Sequence, residues 1–208
     1  MSKLDATPPW QARERAEAAA TEGPFDEKDA PDDGIARVDL GALFVPVSPG
    51  IDVRLELNEQ RQVVAVTLVM PEGTMQLGVY AAPRSEGIWD EVRAEIAASM
   101  NAQKGQPKER TDGPFGIELT GQLPAEGGRT AVRFIGVDGP RWFLRAMLVG
   151  TLATDAVAGE KAEQLLRDVI VSRGTEPLPV REAVPLRLPK DVELPEELAG
   201  PGGGSGAV

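Results

Sequence analysis

The chain has 208 residues, 41% of them hydrophobic and only 4% aromatic, so any core rests on Val, Leu, Ile and Ala. The net charge is -11, and the chain contains neither Cys nor His. That removes disulfides, thiolate chemistry, the usual zinc ligands and the usual near-neutral proton shuttle. Such a composition points away from duplex nucleic acid as a partner, because no basic surface is available to meet the phosphates.

Residues 1–34 read as an acidic, largely disordered lead, with nine acidic against four basic side chains. Gln11–Ala20 has helix-forming composition without an apolar stripe. Phe25 is the large apolar residue of the following acidic stretch, and it has two readings, a pin onto the body or part of a docking motif. Residues 35–38 and 43–47 read as short extended pieces. Pro46 and Pro49 argue against either being a central strand.

Ile51 to Leu57 alternates apolar and polar residues and predicts a half-buried strand. Val63–Met70 and Met75–Ala82 follow, separated by turn residues, so residues 51–82 predict a three-stranded meander. Trp89, Val92, Ile96 and Met100 recur at helical spacing, which predicts a helix over about 86–104, with Ser85 as a candidate cap. Gly105 and Pro107 close it. Lys108–Pro114 reads as a polar loop, and Phe115–Leu123 as a strand.

The segment 128–173 is the centre of the reading. Two apolar runs, Thr130–Val137 and Trp142–Thr151, flank Asp138-Gly139-Pro140, which predicts a hairpin. Trp142, Leu144, Ala146 and Leu148 share one face of the second run. Phe143, Arg145, Met147 and Val149 share the other. Both faces are largely apolar, which predicts a central strand covered on both sides. A helix over about 154–173 then carries Ala158, Ala162, Leu165, Leu166, Val169 and Ile170 on one stripe, with Thr154 or Asp155 as cap and Gly174 as its stop. Residues 174–208 form a Pro- and Gly-rich extended tail, whose Leu178, Val180, Val184, Leu186 and Leu188 are placed to lie along the body.

The fold class is therefore α+β: a mainly antiparallel sheet of six to seven strands, two principal helices, and disordered tails. Residues 35–173 are expected to form one domain. No motif for phosphate binding or nucleophilic catalysis occurs. Four residues are candidates for a ligand site. Arg133 and Arg145 are expected close together on the hairpin, where two guanidinium groups would cradle an anion, or else pair with acids such as Glu118 or Asp168. Arg141 and Trp142 at the turn form the second candidate, with a purely structural hairpin as the alternative. No catalytic residue, cofactor or metal is assigned.

The run Asp138–Gly150, DGPRWFLRAMLVG, resembles a signature of an uncharacterised actinobacterial family of unknown function, and the resemblance extends over most of residues 25–190. That family brings no activity with it. The order of strands, helix, strands and closing helix, with LLRDVIVS near the end of the last helix, also resembles the PsbP-like fold. This second resemblance implies an antiparallel sheet flanked by helices, in a fold whose members mostly bind other proteins. The expectation is a cytosolic, non-enzymatic protein that binds another protein. The alternative is a domain or enzyme that binds a small anionic ligand through Arg133 and Arg145. Neither a membrane span nor a signal segment is expected.

Overall fold

The computed structural model describes residues 22–60 and 62–189. The predicted helix at 11–20 and the Gly-rich end lie outside these residues. Among them are eleven strands: β1 (Phe25–Asp26), β2 (Arg37–Asp39), β3 (Leu43–Pro46), β4 (Asp52–Leu57), β5 (Val63–Met70), β6 (Gly73–Ala81), β7 (Lys108–Gly113), β8 (Gly116–Ala125), β9 (Gly128–Gly139), β10 (Trp142–Gly150) and β11 (Ile170–Val171). The helices are α1 (Trp89–Ala102), the single turn α2 (Thr151–Thr154) and α3 (Ala156–Arg167). The class is α+β, as expected.

Strand β10 lies in the middle of an antiparallel seven-stranded sheet of order β4-β5-β6-β10-β9-β8-β7. Its pleat divides the molecule into two cores. Trp142, Leu144, Ala146 and Leu148 enter the larger, inner core, and Phe143 enters the smaller, outer one together with Met147 and Val149. The inner face is covered by α2, α3 and a second, four-stranded sheet of order β1-β11-β3-β2. The outer face is covered in part by α1, whose Trp89 and Met100 are buried against Leu119, Val132 and Phe134.

The meander β4–β6 forms as expected. Four local readings are corrected. The turn residues of the β9–β10 hairpin are Pro140 and Arg141, because Gly139 pairs with Trp142. Arg141 takes the left-handed conformation (φ 67), which with Pro140 before it has the form of a type II turn. Gly139 is needed for another reason: the indole of Trp142 lies where a Cβ would be. The polar stretch Lys108–Gly113 is the edge strand β7 and not a loop. Its charges protect an unpaired edge, a role that hydrophobic patterning does not reveal.

The closing helix stops at Arg167, and Ile170–Val171 form β11 between β1 and β3. Val169, Ile170 and Val171 are β-branched and buried, which favours the extended form. Asp155, not Thr154, caps α3, accepting from Ala158 N at 2.9 Å. Finally, β3 is central in the small sheet despite Pro46, which sits at its last position opposite Arg37.

Residues on both sides of 35–173 enter the packing. Phe25 N donates to Val169 O at 2.9 Å, and the buried Trp142 donates through Nε1 to Asp26 Oδ2 at 2.8 Å. At the other end, residues 181–186 thread between β5 and β6 where these diverge. Val184 N donates to Val79 O (2.9 Å) and Leu186 N to Val63 O (2.9 Å), and both side chains are buried in the inner core.

Charges tie these pieces down. Arg37 Nε donates to Asp168 O at 2.7 Å, and its two terminal nitrogens clasp Asp33 at 3.0 and 2.7 Å. The Arg37 hydrogen bonds, then the Ile35 amide, hold the Asp33 carboxyl at about 2. A depressed carboxylate pKa contributes stability above its ordinary value of 3.8, and that contribution is lost as pH falls toward 2. Carboxyl-carbon NMR titration is expected to place the Asp33 midpoint at about 2 in the native chain and to return it to the ordinary range in Arg37→Ala.

Candidate functional site

The two arginines of the hairpin part company. Arg133 stands opposite Leu148, three residues from Arg145 along β10, so the period-two pleat sends them to opposite faces of the sheet. The shared cradle expected from a simple hairpin register does not form.

Arg133 is buried on the inner face. Its Nε and Nη2 donate to the two oxygens of Glu118 at 2.6 and 2.8 Å, and Nη2 reaches Glu163 of α3 at 2.5 Å. Glu118, itself fully buried, also has Arg110 at 3.9 Å. Burial opposes the Arg133 charge, but the two carboxylates outweigh it and leave its pKa above the ordinary value. This is a hydrogen-bonded structural network joining β8, β9 and α3, and it fulfils the alternative reading with Glu118 as partner. Replacing Arg133 with Met strands the buried Glu118. Urea denaturation is expected to show a loss of about 3–5 kcal/mol, with Arg133→Met/Glu118→Leu recovering much of it.

Arg141 is at the turn tip. Trp142 is a core residue, with its ring buried and its N–H satisfied by Asp26.

Arg145 is on the outer face, at the end of a row of side chains. Arg93 lies over the Trp89 ring (5.6 Å), Trp89 stacks on Phe143 (centroids 5.8 Å, 23°), Phe143 meets Tyr80 (6.1 Å, 34°), and Arg145 lies over Tyr80 (5.2 Å). The two terminal arginines differ sharply. Arg93 is buried and paired with Asp90 at 2.7 Å and Glu109 at 2.9 Å. Arg145 is half-buried and makes no ion pair with any described carboxylate.

The position of α1 leaves space on both sides of Arg145. An open groove of about 390 Å³ is lined by Ile96, Met100, Gln103, Phe134, Arg145 and Met147 among others. A smaller recess of about 150 Å³ is bounded by Tyr80, Val92, Phe143, Arg145 and Arg181. Glu95 also borders this recess, but it is engaged with Arg181 Nη1 at 2.6 Å, while Glu91 takes Nη2 at 2.6 Å. Arg145 is thus a cation amid aromatic and aliphatic side chains, open to an anionic group from outside.

Two features fix the groove, and neither was read from the sequence. The start of α1 has no side-chain cap of its own; Asp138 of β9 supplies it, accepting from Ile88 N (2.8 Å) and Trp89 N (3.4 Å). Ser85 does not serve. Trp89 donates through Nε1 to Ile117 O at 2.7 Å and lies flat over Gly136, where any Cβ would overlap the indole. Gly136→Ala is therefore expected to lift Trp89 and α1 from the sheet. The expected cost is about 1–3 kcal/mol in chemical denaturation, with an altered near-ultraviolet Trp signal.

The fold and groove define an α+β domain with two sheets and a helix-bordered outer face. A profile described as "Protein of unknown function (DUF3710)" matches residues 23–194, and the chain belongs to that family. The solved structure of cyanobacterial PsbP (CyanoP) from Synechocystis sp. PCC 6803 is similar at 11% identity. The match covers 72% of this chain and 99% of the other, with a TM-score of 0.39, a distant likeness in fold. No curated protein matches the chain. Among the described residues, no helix is long and apolar enough to cross a membrane.

Proposed function

We propose that this chain is a cytosolic, non-enzymatic binding protein. In this reading, the groove between α1 and the outer sheet face takes a segment of another protein carrying a carboxylate beside apolar side chains. The observation that supports this is Arg145: a half-buried guanidinium that pairs with no described carboxylate, at the junction of two recesses whose other walls are largely apolar. A guanidinium held against an aromatic ring keeps its donors directed outward and binds carboxylates bidentately. Ile96, Met100, Phe134 and Met147 offer the apolar contacts that accompany such an anchor, and Met adapts to varied partners. The groove is open along its length, which suits an extended or helical segment better than an enclosed metabolite. The absence of His and Cys from the chain favours binding over most catalytic mechanisms.

Selection from a random peptide library on the full chain tests the proposal. Recovered peptides are expected to place Asp or Glu next to apolar residues. Arg145→Ala, with its thermal unfolding unchanged, is expected to weaken them at least tenfold, about 1.4 kcal/mol. Peptides without an acidic position, or binding indifferent to Arg145→Ala, would sink it. A thermal-shift screen in which small anionic metabolites bind through Arg145, and peptides do not, favours a metabolite-binding domain instead.

A further inference from the structure

A second arginine that pairs with no described carboxylate, Arg173, follows β11, away from the Arg145 groove and sharing none of its lining residues. Residues 172–187 leave β11, turn at Thr175 and Glu176, and come back beside it. Both ends of this loop are fastened to the β2–β3 connection: Ser172 N donates to Ala42 O at 3.0 Å, and Arg187 N to Leu40 O at 2.7 Å. The loop encloses a recess of about 340 Å³. Ala42, Leu178 and Val184 make its apolar side; Ser172, Arg173, Thr175, Glu176 and Arg187 make its polar side.

Arg173 is poorly satisfied there. Its Nε is buried with no hydrogen-bond partner, and Nη1 donates only to the Glu176 carbonyl oxygen at 3.1 Å. Neither Arg173 nor Arg187 makes an ion pair with a described carboxylate. Burial, then the nearby Arg141 cation, holds the Arg173 pKa below the ordinary arginine value, against a smaller opposing pull from Glu176. Packed arginines are normally paired, because an uncompensated charge near the interior is costly. Here two arginines and one acid, Glu176, border the cavity, and the Arg173 Nε donor is left unused. The carboxylate of Glu27, which accepts from Ser172 Oγ at 2.5 Å, stands on the same flank and is already engaged.

We propose that this recess is an oxyanion site, in which Arg173, assisted by Arg187, holds a carboxylate or phosphate group. A guanidinium meets either group with two parallel hydrogen bonds. A small turn of the Arg173 side chain toward the ligand gives its stranded N–H an acceptor, and the anion relieves the repulsion between Arg173 and Arg141. Leu178, Val184 and Ala42 then receive whatever short apolar portion the anion carries. The site stands independently of the Arg145 groove.

Amide NMR titration of the full chain with sodium butyrate and, separately, with inorganic phosphate, at constant ionic strength, is the test. The expected result is saturable shifts at Gly41, Ala42, Gly174 and Thr175 with one or both anions. Shifts with butyrate alone assign a carboxylate with an apolar tail, and shifts with phosphate alone assign a phosphoryl group. Arg173→Gln is expected to weaken binding at least tenfold, while Arg145→Ala leaves it unchanged. Should Arg173→Gln not fold, the wild-type shift map decides the matter. No saturable shift with either anion, or shifts confined to Met100, Leu123 and Met147 beside Arg145, would overturn the proposal.

Discussion

A strand that is apolar on both of its faces has to be covered on both sides, and β10 imposes that requirement on the whole molecule. Its even-numbered residues need one cover and its odd-numbered residues another. The inner cover is large: two helices, a second sheet and the segment after β11 all converge on Leu144, Ala146 and Leu148. The outer cover is a single helix, α1, which reaches Phe143 through Trp89 but leaves Arg145 and Met147 half-buried. The asymmetry of the two covers is what creates a groove. A second helix over the outer face would have made a closed three-layer sandwich with no groove.

The arginines record the same asymmetry. On the inner side, Arg133 is locked between Glu118 and Glu163, since a cation placed there without partners could not be tolerated. Arg93 of α1 and Arg37 beside β11 are paired in the same way. Arg145 and Arg173 pair with no described carboxylate, and each borders an open space. The distinction between paired and unpaired arginines here is therefore drawn by what surrounds each guanidinium, and burial alone does not make it.

Much of the architecture was legible because it depends on short-range pattern. The alternation from Ile51 to Leu57, the helical spacing of Trp89, Val92, Ile96 and Met100, and the double-faced run at 142–149 each follow from one repeat matching one geometry. What escaped depends on distant partners. Val169–Val171 continue the apolar stripe of α3, and only the presence of β1 and β3 on either side turns them into a strand. Lys108–Gly113 has no apolar pattern at all, and β8 recruits it through backbone hydrogen bonds. The relation of Arg133 to Arg145 hung on where the turn begins. With Asp138-Gly139-Pro140 as a three-residue loop, Val137 would face Arg141 and Arg133 would face Arg145; the two-residue turn Pro140-Arg141 changes that parity and sends the two arginines to opposite faces. Asp138, read as a turn residue, instead holds the first amides of α1, a contact across 50 residues that no local rule foretells.

The seam between β5 and β6 has a consequence for how the molecule is made. Val63 and Tyr80 find their bridging partners in Leu186 and Ala183, more than a hundred residues downstream. A nascent chain paused anywhere before Ala183 therefore carries a split sheet with unmet backbone groups and an uncovered stretch of the larger core. Assembly of the meander, although its three strands are contiguous and early, finishes only when this late segment slides into the gap. During synthesis this seam can therefore close only once the chain has been made as far as Leu186.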